Sequence, residues 1–156
     1  VFRRSYDRIY IESGQFEYKP LKNTEKCNLG NIFQDEILKT LGLENRKKGR
    51  DTIIANTEVD VKWTSSSSDL RPTAWRIPPE CFHSICLLAS SSDYFASWNL
   101  GIIRCDPKIL KGENRDKKKY FNPLGKKSII WIAENQKMPE NRFLGLAYPS
   151  CRCSAA

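Results

Sequence analysis

An alternation of polar and apolar residues over residues 58–64 limits the possible folds of this chain more than any other feature. Side chains two positions apart on a strand share one face, so this alternation predicts a strand with one buried face and one polar face. The apolar run Ile53-Ile54-Ala55 precedes it, and Asn56-Thr57 between the two predicts a turn. The segment is therefore predicted to form two adjacent strands of one sheet, which other parts of the chain must cover.

The polar face of the second strand carries Asp60 and Lys62, and Asp51 lies upstream, two residues before the first strand. Two carboxylates can hold Mg²⁺, a hard cation that prefers oxygen ligands. The metal activates a water and neutralises charge on a phosphate, and a neighbouring lysine orients that water and stabilises the oxyanion. An acid followed by acid-x-Lys is therefore the pattern of a metal-dependent nuclease. The alternative interpretation is a surface ion pair.

Similar acid-x-Lys triplets occur elsewhere in the chain, so the motif is informative only in context. The others are Glu17-Tyr18-Lys19, Asp106-Pro107-Lys108 and Asp116-Lys117-Lys118. A proline follows the first and interrupts the second, which disfavours a central strand, and the third lies in a charged run without apolar alternation. Only the triplet that begins at Asp60 combines a strand pattern with an upstream acid across a short turn.

Composition favours one globular domain with a polyanionic partner. The chain has 156 residues and a net charge of +8, which favours nucleic acid because phosphate neutralisation supplies most non-specific affinity. The alternative is a basic protein without such a partner. No apolar stretch approaches the roughly 20 residues that span a membrane, and no secretory signal is present, so we expect a cytoplasmic protein. The chain begins at Val1 rather than Met, as a fragment of a longer protein would.

The six cysteines lack the spacing of a zinc site. Paired CxxC motifs are absent and His83, to which we assign no role, is the only histidine, whereas tetrahedral zinc usually uses such pairs. Cys81 and Cys86 lie in a segment predicted to be an apolar helix, where a free thiol behaves as a small hydrophobe. All six are predicted to be thiols in a reducing cytoplasm, with structural zinc as the alternative and Cys151 with Cys153 as the one close pair.

Apolar spacing predicts the remaining elements. We expect helices at residues 30–43, 78–88 and 123–135, and strands at residues 95–105 and 143–146. Asn28 or Asn31 is expected to cap the first of these helices and Gly42 to end it. Residues 1–20 are consistent with a short helix or strand, and residues 106–123 with a long charged loop. The predicted fold class is α/β, with a mixed central β-sheet flanked by helices.

In their order and spacing, several blocks of this sequence resemble the catalytic domain of the NaeI-type restriction endonucleases. The blocks are Asp51 with residues 58–62, Trp75–Glu80, Ile85–Leu88, Trp98 with residues 101–104, Asn114–Asp116, Gly125 with Ile130-Trp131, and Pro139–Leu144. The resemblance covers residues 28–146 and implies a restriction-endonuclease-like core of the PD-(D/E)xK type, related in site geometry to the mismatch-repair nicking nuclease MutH. Two positions depart from the family pattern: Arg50 replaces a proline and Val61 replaces a cysteine.

The resemblance implies a type II restriction endonuclease that hydrolyses DNA phosphodiester bonds at a specific site with Mg²⁺. Asp51 and Asp60 would hold the metal, and Lys62 would position the attacking water. An acid on the upstream helix would hold a second metal or a ligand water. Asp35 and Glu36 both lie near that place, and the helical wheel favours Glu36 because it flanks the apolar face.

Basic residues on both sides of the motif are candidates for binding double-stranded DNA, with solvated turns as the alternative. They are Arg46, Lys47, Lys48, Arg50, Arg115, Lys117, Lys118 and Lys119. A single site cuts one strand, so double-strand cutting would require a homodimer.

Two other functions fit the same residues: a MutH-like nicking or repair nuclease, and a DNA-binding module that does not cut. Characterised family members carry a second, C-terminal DNA-binding domain. We expect this chain to be a single catalytic domain, residues 1–156, without it.

Overall fold

The computed structural model describes residues 1–46, 49–65 and 74–144. The helices are α1 (Phe2–Ser13), α2 (Asn23–Thr40) and α3 (Pro123–Lys127). The strands are β1 (Thr52–Ile54), β2 (Thr57–Ser65), β3 (Ile85–Ser92), β4 (Ser97–Arg104), β5 (Leu110–Lys111), β6 (Tyr120–Phe121) and β7 (Ile130–Lys137). One sheet has the order β1-β2-β3-β4-β7, in which β2 and β3 are parallel and the other neighbours antiparallel; β5 and β6 form a small separate sheet. The predicted mixed α/β fold with helices against a mixed sheet is confirmed.

Helices α1 and α2 cover one face of the sheet. Tyr6 and Phe33 are buried between the helices and the sheet, which contributes Val59, Val61 and Ala89 to the same core. This confirms that the apolar side chains of β2 point inward. The first twenty residues, predicted as helix or strand, therefore supply a helix, because the apolar stripe of α1 completes this core.

Helix α2 begins earlier than predicted. Lys22 is its N-cap, and the Glu25 carboxylate accepts the Lys22 N–H at 2.6 Å. Asn28 and Asn31 consequently lie inside the helix instead of capping it. The first turns are polar and carry no apolar periodicity, so the hydrophobic pattern does not reveal them. The helix ends at Thr40 and not at residue 43, and Gly42 terminates it as predicted, with φ +66°.

The other face of the sheet is covered by loops and the small β5–β6 sheet. Trp75, Ile77 and Phe121 pack there against the sheet residues Leu88 and Ile103. Asp60 and Lys62, which alternate with Val59 and Val61, therefore lie on the loop-covered side of β2.

Two predicted helices are wrong, because each segment contains only a short helical stretch before a strand begins. Residues 78–88 contain a single 3₁₀ turn, Pro79–Cys81, followed by β3; consequently neither Cys81 nor Cys86 lies in an α-helix. Strand β3 sits between β2 and β4 and is buried on both faces, so its sequence lacks the polar alternation of a half-buried strand. Residues 123–135 form the short α3 and then β7, whose Ile130 and Ile132 are exposed.

The predicted charged loop at residues 106–123 contains a 3₁₀ turn at Pro107–Ile109 and both strands of the small sheet. Of the predicted strand at 143–146, Phe143 lies in a turn, and residues 145 and 146 fall outside the described residues. Across residues 1–46, 49–65 and 74–144, none of the helices has the length and apolar character needed to cross a bilayer.

Candidate metal centre

The β1–β2 hairpin brings Asp51 and Asp60 together. Its two-residue turn, Ala55-Asn56, lies one residue earlier than predicted and has φ of +47° and +60°, the left-handed conformation of a tight hairpin turn. Thr52 pairs with Val59, so one step further along the ladder Asp51 falls opposite Asp60. The Asp51 Oδ2 accepts the backbone N–H of Val61 at 2.7 Å, which fixes the carboxylate at the open end of the hairpin.

The electrostatics of Asp51 favour a cation. Burial raises the pKa of Asp51, the Val61 N–H opposes this, and the negative charge of Asp60 raises it again; the net shift is upward. A positive ion beside Asp51 would offset both the burial of this carboxylate and the negative charge of Asp60.

Lys62 is held against Asp60. The Asp60 side chain is buried, and its Oδ2 forms an ion pair with the Lys62 ammonium. Burial by itself lowers the pKa of Lys62, but the charge and hydrogen bond of Asp60 outweigh it and the pKa is raised. Lys62 is therefore a protonated donor beside the carboxylates.

A row of thiols lies behind Asp60. Cys81 donates a hydrogen bond to Asp60 Oδ2 with an Sγ–O distance of 3.3 Å, and the Sγ atoms of Cys86 and Cys105 are also 3.3 Å apart. Contact with Cys86 and burial raise the pKa of the Cys81 thiol. Within the described residues all the cysteines are free thiols, as predicted.

A residue of α2 that the sequence analysis missed also acts on the site. The Gln34 side chain lowers the pKa of Asp51, against the net upward shift. Glu36 instead forms an ion pair with Arg4 of α1 at 3.0 Å, and Asp35 accepts a hydrogen bond from Asn45 at 2.8 Å. The role of Glu36 stays a prediction. The sequence pattern pointed only to an acidic residue at this place on α2, so the amide side chain of Gln34 was not selected.

An open cleft of about 620 Å³ extends from Lys62 along the sheet edge to α2. Its lining includes two further cations that the sequence analysis did not select, Lys26 and Arg76, together with the aromatic rings of Tyr18 and Trp63. Lys26 lies over the Tyr18 ring, 5.2 Å from its centroid. The cations of the cleft are far apart in sequence and come together only when α2 packs on the sheet.

The two arginines of the basic turn before the site, which lie among the described residues, are engaged with the protein itself. Arg46 pairs with Glu58 at 2.6 Å, and Arg50 donates to the backbone carbonyl of Glu80. Lys47 and Lys48 lie outside the described residues.

The second basic segment is an ordered turn. The Asn114 Oδ1 accepts the backbone N–H groups of Asp116 and Lys118 at 3.0 and 2.9 Å, and Arg115 and Lys117 are exposed. Lys119 pairs through its backbone with Ile77, which places this turn beside the segment that borders the cleft.

Two comparisons relate this arrangement to known proteins. The family model described as "Restriction endonuclease NaeI" matches residues 1–152, so the match also includes α1. The chain is 28% identical over 151 residues to the type II restriction enzyme NaeI of Lentzea aerocolonigenes. The aligned part covers 92% of this chain and 44% of that protein, so the chain spans less than half the length of this relative.

Proposed function

Because the chain belongs to the NaeI restriction endonuclease family, we propose that it hydrolyses DNA phosphodiester bonds at a specific site with Mg²⁺ as the cofactor. The observation that carries this proposal is the meeting of Asp51, Asp60 and Lys62 at the open end of one hairpin. The match to the relative covers only part of that protein, so the activity is inferred for this chain from its own residues.

The donor set fits a hard divalent cation. Asp51 and Asp60 offer carboxylate oxygens, the ligands that Mg²⁺ prefers. Burial first, and then the negative charge of Asp60, raise the pKa of Asp51, and a bound dication would offset both effects. When bound, Mg²⁺ would act as a Lewis acid that polarises a phosphate and lowers the pKa of a bound water.

The chain's own residues complete the chemistry. Lys62 has Asp60 as its counter-ion. With a cation held at Asp60, the Lys62 ammonium would be free to donate to a phosphate oxygen or to orient the attacking water. The Gln34 side chain lowers the pKa of Asp51 and so favours the charged form that binds a cation. Glu36 would hold a second metal or a ligand water only after its ion pair with Arg4 opens.

The cleft is the proposed path of the DNA backbone. Lys26 and Arg76 flank the same opening as Lys62, so three cations line it. Lys62 would reach a phosphate once its ion pair with Asp60 opens, and Lys26 once it leaves the Lys19 carbonyl. The turn that carries Arg115, Lys117, Lys118 and Lys119 extends this positive surface, and Arg46 and Arg50 contribute if their internal partners are exchanged for phosphates. Since phosphate contacts position the duplex without reading its sequence, this surface accounts for affinity and leaves the recognition sequence open.

Plasmid cleavage by the purified chain, with Mg²⁺ and with EDTA, tests the proposal. Discrete Mg²⁺-dependent fragments should be lost in Asp60→Asn and retained in Glu58→Gln, a control that changes an exposed acid on the same strand. Cleavage by Asp60→Asn at the parental rate would refute the site. Nicked circles alone would favour the MutH-like alternative, and DNA retention without cleavage would favour the non-cleaving module. Linear products would imply that two copies of the chain act on one duplex. Sedimentation would check whether the two copies associate.

The same assay separates the two helix residues. Glu36→Gln should reduce cleavage only if Glu36 reaches the metal, whereas Gln34→Ala should reduce it through loss of support for Asp51. A parental rate in Glu36→Gln would remove Glu36 from the catalytic set.

A further inference from the structure

Three potential metal ligands, one oxygen and two sulfurs, converge in the buried region behind the hairpin. A carboxylate oxygen of Asp60 and the Sγ atoms of Cys81 and Cys86 all lie within 4.8 Å of one another, and all three residues are buried. They come from three elements: β2, the 3₁₀ turn at Pro79–Cys81, and β3, where Cys86 is the register partner of Asp60.

We propose that Asp60, Cys81 and Cys86 form a binding site for a thiophilic divalent cation, Zn²⁺ or Cd²⁺, distinct in chemistry from the hard-cation site that uses Asp60 with Asp51. Thiolates favour such ions, whereas Mg²⁺ prefers oxygen ligands to sulfur. Ligands of one zinc ion, at about 2.0–2.3 Å each, are at most about 4.6 Å apart. The observed convergence therefore requires only small side-chain adjustments.

The charges at this site balance. Binding of a dication M²⁺ to the two thiols forms two metal–sulfur bonds and releases both thiol protons to solvent. Two thiolates and the Asp60 carboxylate carry three negative charges against the two positive charges of the ion, and the adjacent Lys62 ammonium supplies the third positive charge. A buried ionic cluster with no net charge avoids the large cost of an uncompensated charge in the interior.

The ion would enter from the side of the hairpin. The Asp60 side chain is 9% exposed and that of Lys62 is 26% exposed, whereas both thiols are almost fully enclosed. Asp60 is thus the one ligand that faces both the open site and the thiols, so a hard and a soft cation would draw its carboxylate in opposite directions.

Cadmium titration tests this proposal directly. The background is a chain in which Cys27, Cys151 and Cys153 are replaced by serine, so that Cys81, Cys86 and Cys105 are the remaining thiols. Cd²⁺ is added without Mg²⁺, the ultraviolet sulfur-to-cadmium charge-transfer absorption is recorded, and the metal content is measured after gel filtration. We expect one Cd²⁺ per chain and a saturable absorption increase.

Variants assign the ligands. Cys81→Ala and Cys86→Ala should each lose most of the absorption, whereas Cys105→Ala should keep it, because Cys105 is not one of the three converging residues. Asp60→Asn should weaken binding by roughly tenfold or more while keeping the sulfur signal. Circular dichroism confirms that each variant is folded, and Cys81→Ser and Cys86→Ser replace any that is not.

Absorption that is unchanged in the Cys81 and Cys86 variants, or a folded background chain that binds no Cd²⁺, would overturn the proposal. The readout is metal binding and not cleavage, so its outcome is independent of whether the chain is a nuclease.

Discussion

Replacing Asp93 by alanine should destabilise the protein far more than a typical surface change. Asp93 lies in the turn between β3 and β4, and its side chain is only 5% exposed. It forms an ion pair with Arg3 of α1 and accepts hydrogen bonds from the Tyr10 hydroxyl at 2.6 Å and from Asn141 at 3.0 Å. This one carboxylate ties the N-terminal helix and the segment after β7 to the sheet.

The size of the stability loss follows from the groups that lose their partner when Asp93 is replaced. Removing one partner of a buried ion pair costs about 3–5 kcal/mol, because the other charge stays buried and uncompensated. Arg3 keeps its second ion pair, with Asp7 at 2.7 Å, which favours the lower end; the missing acceptor for Tyr10 adds roughly 1 kcal/mol. We expect Asp93→Ala to lower the free energy of unfolding by about 3–4 kcal/mol, or the Tm by about 6–16 °C.

Urea unfolding followed by tryptophan fluorescence measures this loss. The matched control is Glu12→Ala, which removes the exposed partner of Arg8 from the same helix and should cost no more than about 0.5 kcal/mol. A loss below about 1 kcal/mol for Asp93→Ala, or one equal to the control, would refute the assignment of Asp93 as the anchor of α1.

Three further outcomes are expected. Ala55→Gly should raise the free energy of unfolding by up to about 1 kcal/mol in the same urea experiment, because alanine has φ +47° there and glycine adopts this conformation without strain; a decrease would contradict the hairpin geometry. Lys→Glu changes at residues 117–119 should weaken DNA binding in fluorescence anisotropy and flatten its dependence on salt, with the slope falling by about 0.9 for each phosphate that is no longer neutralised; an unchanged slope would exclude this turn from the interface. Mg²⁺ should raise the Tm of the parent chain but not of Asp60→Asn, and EDTA should reverse the rise; equal shifts in both proteins would place the metal elsewhere.

The hairpin could be predicted from sequence because its signals are local. In strand β2 the apolar Val59 and Val61 alternate with the polar Asp60 and Lys62, although Asp60 is buried as well, and a tight turn precedes the strand. Strands β3 and β7 could not be assigned in this way. Both faces of β3 are buried, and β7 is an edge strand with apolar side chains exposed, so neither sequence has a period of two.

The site could be predicted from sequence only where its residues lie close together in the chain. Asp51, Asp60 and Lys62 lie in one hairpin, so their sequence spacing determines their meeting. Gln34 and Lys26 reach the site only because α2 packs beside β2, and no spacing in the sequence encodes that contact. The thiols were assigned to a helix that is absent, which concealed the pairing of Cys86 with Asp60 across β2 and β3.

The hydrogen bond from Val61 to Asp51 also bears on aggregation. Strand β1 is short, and its pairing with β2 ends at Val59; from there β2 would offer the main-chain donors that another chain needs to add a strand. The Asp51 carboxylate takes the Val61 N–H and puts a charged group where such a strand would dock. Asp51, which is proposed to hold the metal, would therefore also protect the sheet edge against the addition of another strand. Selection for solubility and selection for metal binding would then act on the same side chain.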